Sequence, residues 1–526
     1  MNLKIPPTSC SSSAAESSAP GVDAYQPRLG LEMEMAVAHA VTGASLPVRA
    51  YFDALERIKL ARGVTCERVA IGASPIGLRT PDADCGLDNG YNLLETALAP
   101  VRGGAGGLDR LAALAHQELA DTLDALRDDG ACVLNVSQHP DCPTDASWYE
   151  RVRVARPIYR ELVDYRGWHH WLGMDAKAQN GANTSVPVDH AALALNVMIG
   201  LAGAHIALFA NSPLEAGCVT GLKETRLTLW PRVFGPANFP GDAILEQYPQ
   251  RPFHDLGDYF RWMFQAGTVT RSLPLSQRYD YKSAPTVILD GDPCLLSFLQ
   301  AARWRGRRTD TGEEVVLQPH AMHFEHSQIA QFLDARFRYR LDALPGLPAL
   351  MRAWRRDGGL EELFASCGVD GYIEGRAPGA GFADACLLSE GGEAAARSRL
   401  TAPTALQAGL LANLGAAWQL IQDRGWQTLG ELRQAAIRHG IAHDGVRALC
   451  ADVLAVARAG LTVQERRWLD YPDYVLESGR TAADHLLDTW NTAGTAAGRL
   501  AALPPRHAAL HPDDYRGLVP PAASGA

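Results

Sequence analysis

Two glutamates near the start of the chain have the spacing of a metal-binding pair. Residues 30–35 read GLEMEM, in which acidic and apolar residues alternate. Residues two apart on a β-strand face the same side, so Glu32 and Glu34 point together. Adjacent carboxylates repel each other unless a cation lies between them, and oxygen ligands favour Mg²⁺ or Mn²⁺. The alternative is a solvent-facing acidic pair on an amphipathic strand.

Two further acids lie in short strand-like runs. Glu95 follows the turn signal Asn89-Gly90 within a run of apolar residues, where an unpaired carboxylate is costly to bury. Glu374 precedes Arg376 by two residues in the sequence YIEGR, so both would share one strand face. They could form an ordinary surface ion pair. In the functional interpretation, Glu374 holds a metal and Arg376 neutralises charge on a transferring phosphoryl group.

A loop after an apolar helix contains another group of candidates. The helix predicted over 191–210 ends at Asn211 and Ser212, and a glycine-punctuated loop leads to Arg226 and Trp230. Loops held by rigid elements commonly carry binding residues, so Asn211, Ser212 and Trp230 are candidate substrate contacts. Arg226 could clamp a substrate carboxylate with two parallel hydrogen bonds, or it could be a structural arginine stacked on Trp230.

The elements that must position these residues are short strands scattered among long helices. Strands are predicted over 30–37 and 92–97 from their alternating or β-prone patterns. Helices are predicted over 108–128, over most of 405–459 and over 481–500. The regular strand–helix–strand alternation of a doubly wound fold is missing, which favours the α+β class.

The bulk composition excludes some function classes. Of the 526 residues 47% are apolar, enough for a large core, and the net charge of −10 comes without a basic stripe. We therefore expect no nucleic-acid partner. No uninterrupted apolar run reaches the roughly 20 residues that span a bilayer, and the N-terminal segment lacks the apolar region of a secretory signal. With ten cysteines and no CxxC pair, these features predict a cytoplasmic protein without a membrane segment.

Taken together and in order, the motifs resemble a known family. The acidic pair, the acidic strand after a glycine turn, the segment ALFANSP at 207–213 and YIEGR at 372–376 resemble the glutamate–cysteine ligases of plant and bacterial type. This family is part of a wider group of carboxylate–amine ligases. The resemblance extends over about residues 26–495 and is densest over 207–230.

The resemblance implies a fold and a reaction. The implied fold is like that of glutamine synthetase, with a curved antiparallel sheet, helices on its outer face and the active site on its concave side. In the implied reaction, ATP phosphorylates the γ-carboxylate of L-glutamate, and an amine then attacks the acyl phosphate. Glutamate–cysteine ligation, with L-cysteine as the amine, is the expected activity. The alternatives are a ligase that joins glutamate to a different amine and a non-catalytic relative that acts as a binding module.

The resemblance also assigns roles to residues. The implied ligands of Mg²⁺, with Mn²⁺ as an alternative, are Glu32, Glu34, Glu95 and Glu374. Arg376 resembles the family arginine beside the transferred phosphate, and Arg226 resembles the arginine that grips the substrate glutamate. Residues 1–25 are predicted to be disordered, 26–500 to form a single catalytic domain, and 501–526 to form a mobile tail.

Two departures from the family pattern bear on the site. Family members usually carry Gln or His where this chain has Ser185, and serine is a poor metal ligand, so one metal site is expected to be altered. The segment RFRYRLD at 336–342 resembles the same family region as 372–376, which makes Asp342 the rival of Glu374. We favour Glu374 because that choice keeps both the acid and Arg376.

Overall fold

The computed structural model describes residues 25–264, 267–276, 285–328 and 331–515. The strands are β1 (Arg28–His39), β2 (Glu67–Ile71), β3 (Ser74–Arg79), β4 (Ala83–Leu87), β5 (Leu93–Leu98), β6 (Val101–Arg102), β7 (Ala131–Val133), β8 (Asn180–Ser185), β9 (Leu214–Glu215), β10 (Cys218–Val219), β11 (Leu273–Pro274), β12 (Thr286–Leu289), β13 (Trp304–Arg308), β14 (Glu314–Leu317), β15 (Ala335–Leu341) and β16 (Val369–Gly375).

The helices account for most of the remaining chain. The α-helices are α1 (Tyr51–Ala61), α2 (Gly107–Arg127), α3 (Ala146–Val152), α4 (Pro157–Tyr159), α5 (Ala191–Gly200), α6 (Ala202–Phe209), α7 (Leu229–Phe234), α8 (Leu256–Phe264), α9 (Leu295–Gln300), α10 (Ala321–Ser327), α11 (Leu347–Trp354), α12 (Gly359–Ser366), α13 (Ala385–Ser398), α14 (Ala402–Ala412), α15 (Leu414–Arg424), α16 (Trp426–His439), α17 (Asp444–Gly460), α18 (Asp470–Ser478), α19 (Ala482–Trp490), α20 (Ala496–Ala501) and α21 (Pro504–His507). A π-helix lies at Arg160–Tyr165, and 3₁₀ helices lie at His170–Leu172, Val188–His190, Thr225–Thr228, Pro240–Glu246, Gly440–Ala442, Glu465–Leu469 and Pro512–Asp514.

One ten-stranded sheet organises the fold. Its strand order is β15-β16-β8-β1-β5-β4-β3-β2, and β6 and β7 also pair with β1. Every pairing in it is antiparallel. A four-stranded sheet (β11-β12-β13-β14) and the hairpin β9-β10 lie apart from it. The predicted α+β class with one large antiparallel sheet is confirmed.

Strand β1 lies in the interior of this sheet, and its two faces carry different kinds of side chain. Leu31, Met33 and Met35 are fully buried, on the face where Leu29 meets the start of α2 near Gly107. The alternate residues therefore point to the opposite face. The strand predicted over 30–37 lies within β1, and the strand predicted over 92–97 corresponds to β5.

Helices cover the face that carries the apolar residues. The helix predicted over 108–128 is α2, and the helical region predicted over 405–459 contains α14 to α17. Gln407 of α14 donates hydrogen bonds from Nε2 to the carbonyl oxygens of Ala182 and Ile373, at 3.0 Å each. A Cβ atom at Gly375 would lie 2.3 Å from Gln407 Oε1, so a larger residue there would displace the Gln407 side chain.

The C-terminal segment packs on the domain as far as Tyr515. Leu503 and His507 are buried, and the amides of Ala509 and Leu510 donate to the carbonyls of Val133 and Ala383 at 2.8 Å. This part of the predicted mobile tail is therefore held by main-chain hydrogen bonds. Residues 1–24 and 516–526 lie outside the described residues, and the division of the chain into domain and tails stays a prediction.

No single helix in the described part of the chain is long and apolar enough to cross a membrane. A bent pair, Val188–Gly200 with Ala202–Phe209, meets the criteria of length and composition together, with a bend of 48° between its halves. Nearly every residue of α5 and α6 is buried in the protein.

Candidate active site

A cavity of about 420 Å³ lies on the face of the sheet opposite α2 and α14. Strands β1, β3, β4, β5, β15 and β16 form its floor, and the segments around residues 156–177, 230 and 332 form its walls. Its charged and polar lining residues are Glu32, Glu34, Arg79, Asp84, Asp88, Asn89, Glu95, Arg156, His170, Lys177, Gln179, Arg271, Arg336, Arg338, Tyr372, Glu374 and Arg376. We call this cavity the central pocket.

The predicted metal ligands all line the central pocket, as their strand positions require. Glu34 on β1 is directly opposite Glu95 on β5. The next positions in the same row are Gly86 on β4 and Gly77 on β3, so no side chain fills the floor beside Glu95. Like charges directly opposite each other destabilise a sheet. A cation bound beside Glu34 and Glu95 would therefore stabilise this row of acids, which we call the acidic row.

The carboxylate of Glu34 is buried, and it contacts the main chain of Gln179 and the side chain of Lys177. Its Oε2 accepts a hydrogen bond of 3.0 Å from the amide of Gln179 and lies 3.5 Å from Lys177 Nζ. Burial raises the pKa of Glu34 to about 7, against the opposing effect of Lys177 and with a further increase from Asp88 and Glu95. Lys177 is itself shared, because its Nζ also donates to Asp88 at 3.0 Å.

Glu32 has fewer compensating contacts. Its Oε1 accepts a hydrogen bond of 3.2 Å from Asn183 Nδ2. Burial raises the pKa of Glu32 to about 7, and the carboxylates of Glu374 and Glu95 raise it further. Glu32 and Glu34 are thus held in a site that disfavours their negative charge. A bound divalent cation would reverse this preference.

Glu374 occupies a different electrostatic setting. It accepts hydrogen bonds of 2.9 Å from Arg336 and from Arg376, and Arg338 Nη1 lies 3.6 Å from it. Burial opposes ionisation, but Arg336, Arg376 and Arg338 together hold the pKa of Glu374 well below its ordinary value. Glu374 is therefore the counter-ion of a cluster of three arginines. Its role as a metal ligand stays a prediction and would require it to release an arginine.

An aromatic wall faces the charged floor. Trp230, predicted as a substrate contact, packs on Phe332 with ring centroids 4.1 Å apart. Trp168 adjoins Phe332 at 5.7 Å. All three line the central pocket, together with Ile158, Tyr159, Leu162 and Met174. The pocket therefore offers a charged half and an apolar half.

The predicted role of Arg226 in substrate binding stays a prediction, and the structure shows where this side chain lies and what it contacts. Arg226 does not line the central pocket but a small cavity that shares Gln179, Trp230, Phe332 and Arg376 with it. Its Nε donates to Glu224 Oε1 at 2.9 Å, and its Nη atoms donate to Gln179 Oε1 and to the carbonyls of residues 376–378 at 2.8–3.4 Å. These contacts occupy the guanidinium from within the protein. Arg226 thereby holds the main chain at Arg376.

Asn211 and Ser212, also predicted as substrate contacts, make hydrogen bonds within the protein, and their role in substrate binding stays a prediction. Both are fully buried. Asn211 Nδ2 donates to the Asn135 carbonyl at 2.8 Å, and its amide donates to Glu224 Oε2 at 2.7 Å. Ser212 Oγ accepts a hydrogen bond from the Arg226 amide at 3.2 Å. The ANSP segment therefore anchors the loop that holds Arg226, and neither side chain reaches the central pocket.

The two departures noted in the sequence are also located. Ser185 lies at the end of β8, where its Oγ accepts from the Arg28 amide at 2.7 Å and from Tyr25 Oη at 2.8 Å, outside the central pocket. Asp342 lies beyond the end of β15, is exposed and does not line the pocket, whereas Glu374 does. Both rival segments are present as neighbouring strands, with Arg336 directly opposite Glu374.

Several pocket residues were not assigned a role from the sequence. Arg336 and Arg338 were identifiable in principle, because they alternate in RFRYR by the same rule that pairs Glu32 with Glu34. Lys177 and Gln179 precede β8 in an irregular stretch. Nothing in their local pattern signals that they reach the acids of β1.

The residues of the central pocket suit a nucleotide with divalent cations. Glu32, Glu34, Glu95 and Asp88 offer hard carboxylate oxygens, and Glu32 and Glu34, whose charged forms are disfavoured, would gain from a cation. The groups of three ligand atoms that lie within 4.8 Å of one another in the described residues are found elsewhere. The pocket acids are therefore spread along the floor, with the arginine cluster beside them to receive phosphate oxygens.

The fold and the pocket define a class: an α+β protein whose antiparallel sheet presents acids and arginines to one cavity. The sequence model of glutamate-cysteine ligase family 2 (GCS2) matches residues 28–288. The match covers just under half of the chain, confirms the resemblance to this family and supports a ligase. The matched segment contains the acids of β1 and β5, whereas Glu374 and Arg376 lie beyond it. No curated protein matches the sequence.

Two solved structures are similar to the chain at low sequence identity. One is glutamate–cysteine ligase from Francisella tularensis in complex with AMP, with 12% identity, a TM-score of 0.48 and coverage of 94% of this chain and 90% of that one. The other is a bifunctional glutathione synthetase from Pasteurella multocida, with 11% identity, a TM-score of 0.43 and coverage of 94% of this chain and 53% of that one.

Proposed function

We propose that this protein is an ATP- and Mg²⁺-dependent ligase that forms a γ-glutamyl amide bond through an acyl phosphate, with glutamate–cysteine ligation, the first step toward glutathione, as the leading activity. The observation that carries the proposal is the adjacency of the acidic row and the arginine cluster on one sheet face. The family match supports the same reaction class. The proposed location is the cytoplasm.

The floor residues would hold the metal ions and the phosphates. Glu32, Glu34 and Glu95 are the proposed ligands of Mg²⁺, or of Mn²⁺ in its place. Bound Mg²⁺ would neutralise and orient the ATP phosphates for in-line transfer. Arg376 and Arg336 lie across Glu374 from each other and would stabilise the charge that develops on the transferred phosphoryl group.

The second step needs an amine held against the activated carboxyl group. The wall formed by Trp168, Trp230 and Phe332 lies opposite the charged floor and would exclude water, which protects an acyl phosphate from hydrolysis. Lys177 and Arg271 are cationic lining residues that suit the carboxylates of amino-acid substrates. Arg226 would act indirectly, by holding the backbone of Arg376.

A ligase that joins glutamate to a different amine is the second candidate. The aromatic wall favours it, since three large rings form more apolar surface than the side chain of cysteine can cover. A non-catalytic binding module is a third interpretation, which the burial of ionisable acids beside arginines argues against because such groups are costly to keep without a ligand.

The test is phosphate release from ATP with Mg²⁺ and L-glutamate, across a panel of amines that includes L-cysteine. We expect release that requires glutamate together with one amine, and mass spectrometry of the product should show the γ-glutamyl amide. Cysteine as the required amine supports the leading activity, and a larger amine supports the second candidate. The absence of phosphate release with every pair would contradict both ligase proposals.

A further inference from the structure

A second cluster of reactive side chains lies on the C-terminal helices. Cys386 and Glu390 are one turn apart on α13, and His485 lies on α19. One ligand atom from each residue lies within 4.8 Å of the other two. None of the three lines the central pocket, so the cluster is separate from the proposed ligase site.

The spacing of the ligand atoms suits a tetrahedral metal ion. Cys386 Sγ lies 3.4 Å from Glu390 Oε1, and His485 Nδ1 lies 3.3 Å from Glu390 Oε2. Around a tetrahedral Zn²⁺, a sulfur and an oxygen ligand are about 3.6 Å apart, and a nitrogen and an oxygen ligand about 3.4 Å apart. The two contacts use different oxygens of one carboxylate, so either bidentate binding or a small rotation of this half-exposed group completes the set.

The histidine is oriented as a metal ligand would be. His485 is 5% exposed, and its Nδ1, which lies 3.3 Å from Glu390 Oε2, makes no hydrogen bond of good geometry among the described residues. Its Nε2 lies 3.0 Å from Tyr474 Oη. When Nε2–H donates to this hydroxyl, the lone pair of the neutral ring is on Nδ1, which faces Glu390. Metal-binding histidines usually have their second nitrogen fixed by such a contact.

The cysteine is buried, and a cation is its neighbour. Burial raises the pKa of the Cys386 thiol to about 11. Arg506 Nη2 lies 3.7 Å from the sulfur and favours the thiolate. Binding of a metal would therefore displace one proton from the thiol to solvent.

The nearby acid Asp384 is already committed to other contacts. It caps α13 by accepting from the Leu387 amide at 2.7 Å, and it accepts from Asn135 Nδ2 at 2.7 Å and faces His507 Nδ1 at 3.1 Å. The ligand set is therefore one sulfur, one nitrogen and one carboxylate. The Glu390 side chain is 41% exposed, which leaves the outer position open to water.

We propose that Cys386, Glu390 and His485 form a Zn²⁺ site that ties α13 to α19, with water as the remaining ligand. A soft thiolate with an imidazole and a carboxylate selects Zn²⁺ over the Mg²⁺ of an all-oxygen site. The site is structural and does not depend on the proposed ligase activity.

The test uses Co²⁺ as a spectroscopic substitute for Zn²⁺ in the full-length, metal-stripped protein. We expect one equivalent of Co²⁺ to give a thiolate-to-metal charge-transfer band and visible bands of tetrahedral intensity, and one equivalent of Zn²⁺ to abolish them. Zn²⁺ should also raise the melting temperature. The Glu390→Gln variant, which changes an exposed group, should weaken Co²⁺ binding at least tenfold, and Cys386→Ser should remove the charge-transfer band.

The matched control is Cys218→Ser, which removes an exposed cysteine distant in sequence from the cluster and should leave the spectrum unchanged. If Cys386→Ser fails to fold, the loss of Co²⁺ affinity is measured in the variants Glu390→Gln and His485→Gln instead. A spectrum without a thiolate band, or one that persists at full affinity in both of these variants, would overturn the proposal. Failure of the phosphate-release assay would leave this result unaffected.

Discussion

Charged side chains lie in the interior of two neighbouring regions of the molecule, and the partners of these charges differ between the two regions. In the anchor around Glu224 and Arg226, the charged atoms that the structure describes are bound by protein groups, including Ser137, whose Oγ donates to Glu224 at 2.9 Å. On the pocket floor, Glu34 is buried and Glu32 half-buried beside other acids, and the pKa values of both are raised. The charged groups of the anchor are paired within the protein, whereas the carboxylates of the pocket floor would gain from a bound ligand.

This difference distinguishes charged residues that stabilise the fold from charged residues that favour the binding of a ligand. A buried charge whose partners are all supplied by the protein stabilises the fold only as part of its network, and losing one partner is costly. A buried acid that is disfavoured in its charged form is a cost that ligand binding can offset. Substitutions in the anchor should therefore change stability, and substitutions on the floor should change activity.

The largest expected effect is on stability, in the anchor. Arg226→Ala leaves the fully buried carboxylate of Glu224 without its guanidinium partner. We expect a loss of about 3–5 kcal/mol in the free energy of unfolding, measured by chemical denaturation. The control Arg303→Ala removes an exposed arginine and should stay within about 0.5 kcal/mol of the wild type. Equal effects of the two changes would show that the anchor is not a structural network.

The next effect is on activity, at the floor. Glu34→Gln removes metal-binding charge at nearly unchanged shape. We expect turnover to fall at least 100-fold, about 2.7 kcal/mol of barrier, while circular dichroism and cooperative melting persist. The matched control is Glu67→Gln, an exposed acid of β2, which should keep wild-type turnover. A Glu34→Gln variant with more than about a tenth of normal activity would remove Glu34 from the metal centre.

The same substitution should stabilise the metal-free protein at high pH. Because the pKa of Glu34 is raised in the folded state, its contribution to stability is present below about pH 4.5 and is lost as pH rises through about 7. Glu34→Gln should therefore raise the free energy of unfolding by about 1–3 kcal/mol at pH 8 and change it little at pH 4.5. Thermal melts in chelator at both pH values measure this, and a destabilised variant at pH 8 would contradict the assignment.

The smallest expected effect concerns the aromatic wall. Trp230→Leu shortens an apolar surface without touching the acids or the arginine cluster. We expect the KM for the amine to rise about tenfold, equivalent to about 1.4 kcal/mol, with the KM for ATP unchanged. Steady-state kinetics with each substrate varied in turn checks this. An increase confined to ATP would place the nucleotide, and not the amine, against the wall.

The parts of the site that sequence could predict follow local rules. Alternation along one strand is visible in the sequence, so Glu32 and Glu34 were assigned to one face. Glu95 was grouped with them only through the family resemblance, and its strand β5 pairs with β1 in the structure. The contacts of Arg226 were not predictable in this way. Its partners come from residues 179, 224 and 376–378, and whether a loop arginine meets a substrate or its own backbone depends on contacts that no local pattern encodes.

The pairing of strands that are far apart in the sequence was not predictable from local patterns either. The segments around Arg336 and Glu374 resembled rivals for one position, yet they are neighbouring strands of the same sheet. An arginine on each then meets one acid between them. Sequence similarity could rank the two segments but could not show that the site uses both.

The most direct test of the central claim is Mn²⁺ binding to the pocket floor, followed by electron paramagnetic resonance. Mn²⁺ prefers oxygen ligands, so it reports on the acids of β1 and β5 and not on the thiolate cluster. The account predicts that wild-type affinity rises as pH increases from about 6 to 8, because protons compete at Glu32 and Glu34, and that the double variant Glu32→Gln/Glu34→Gln loses this binding. Unchanged Mn²⁺ affinity in the double variant would contradict the account.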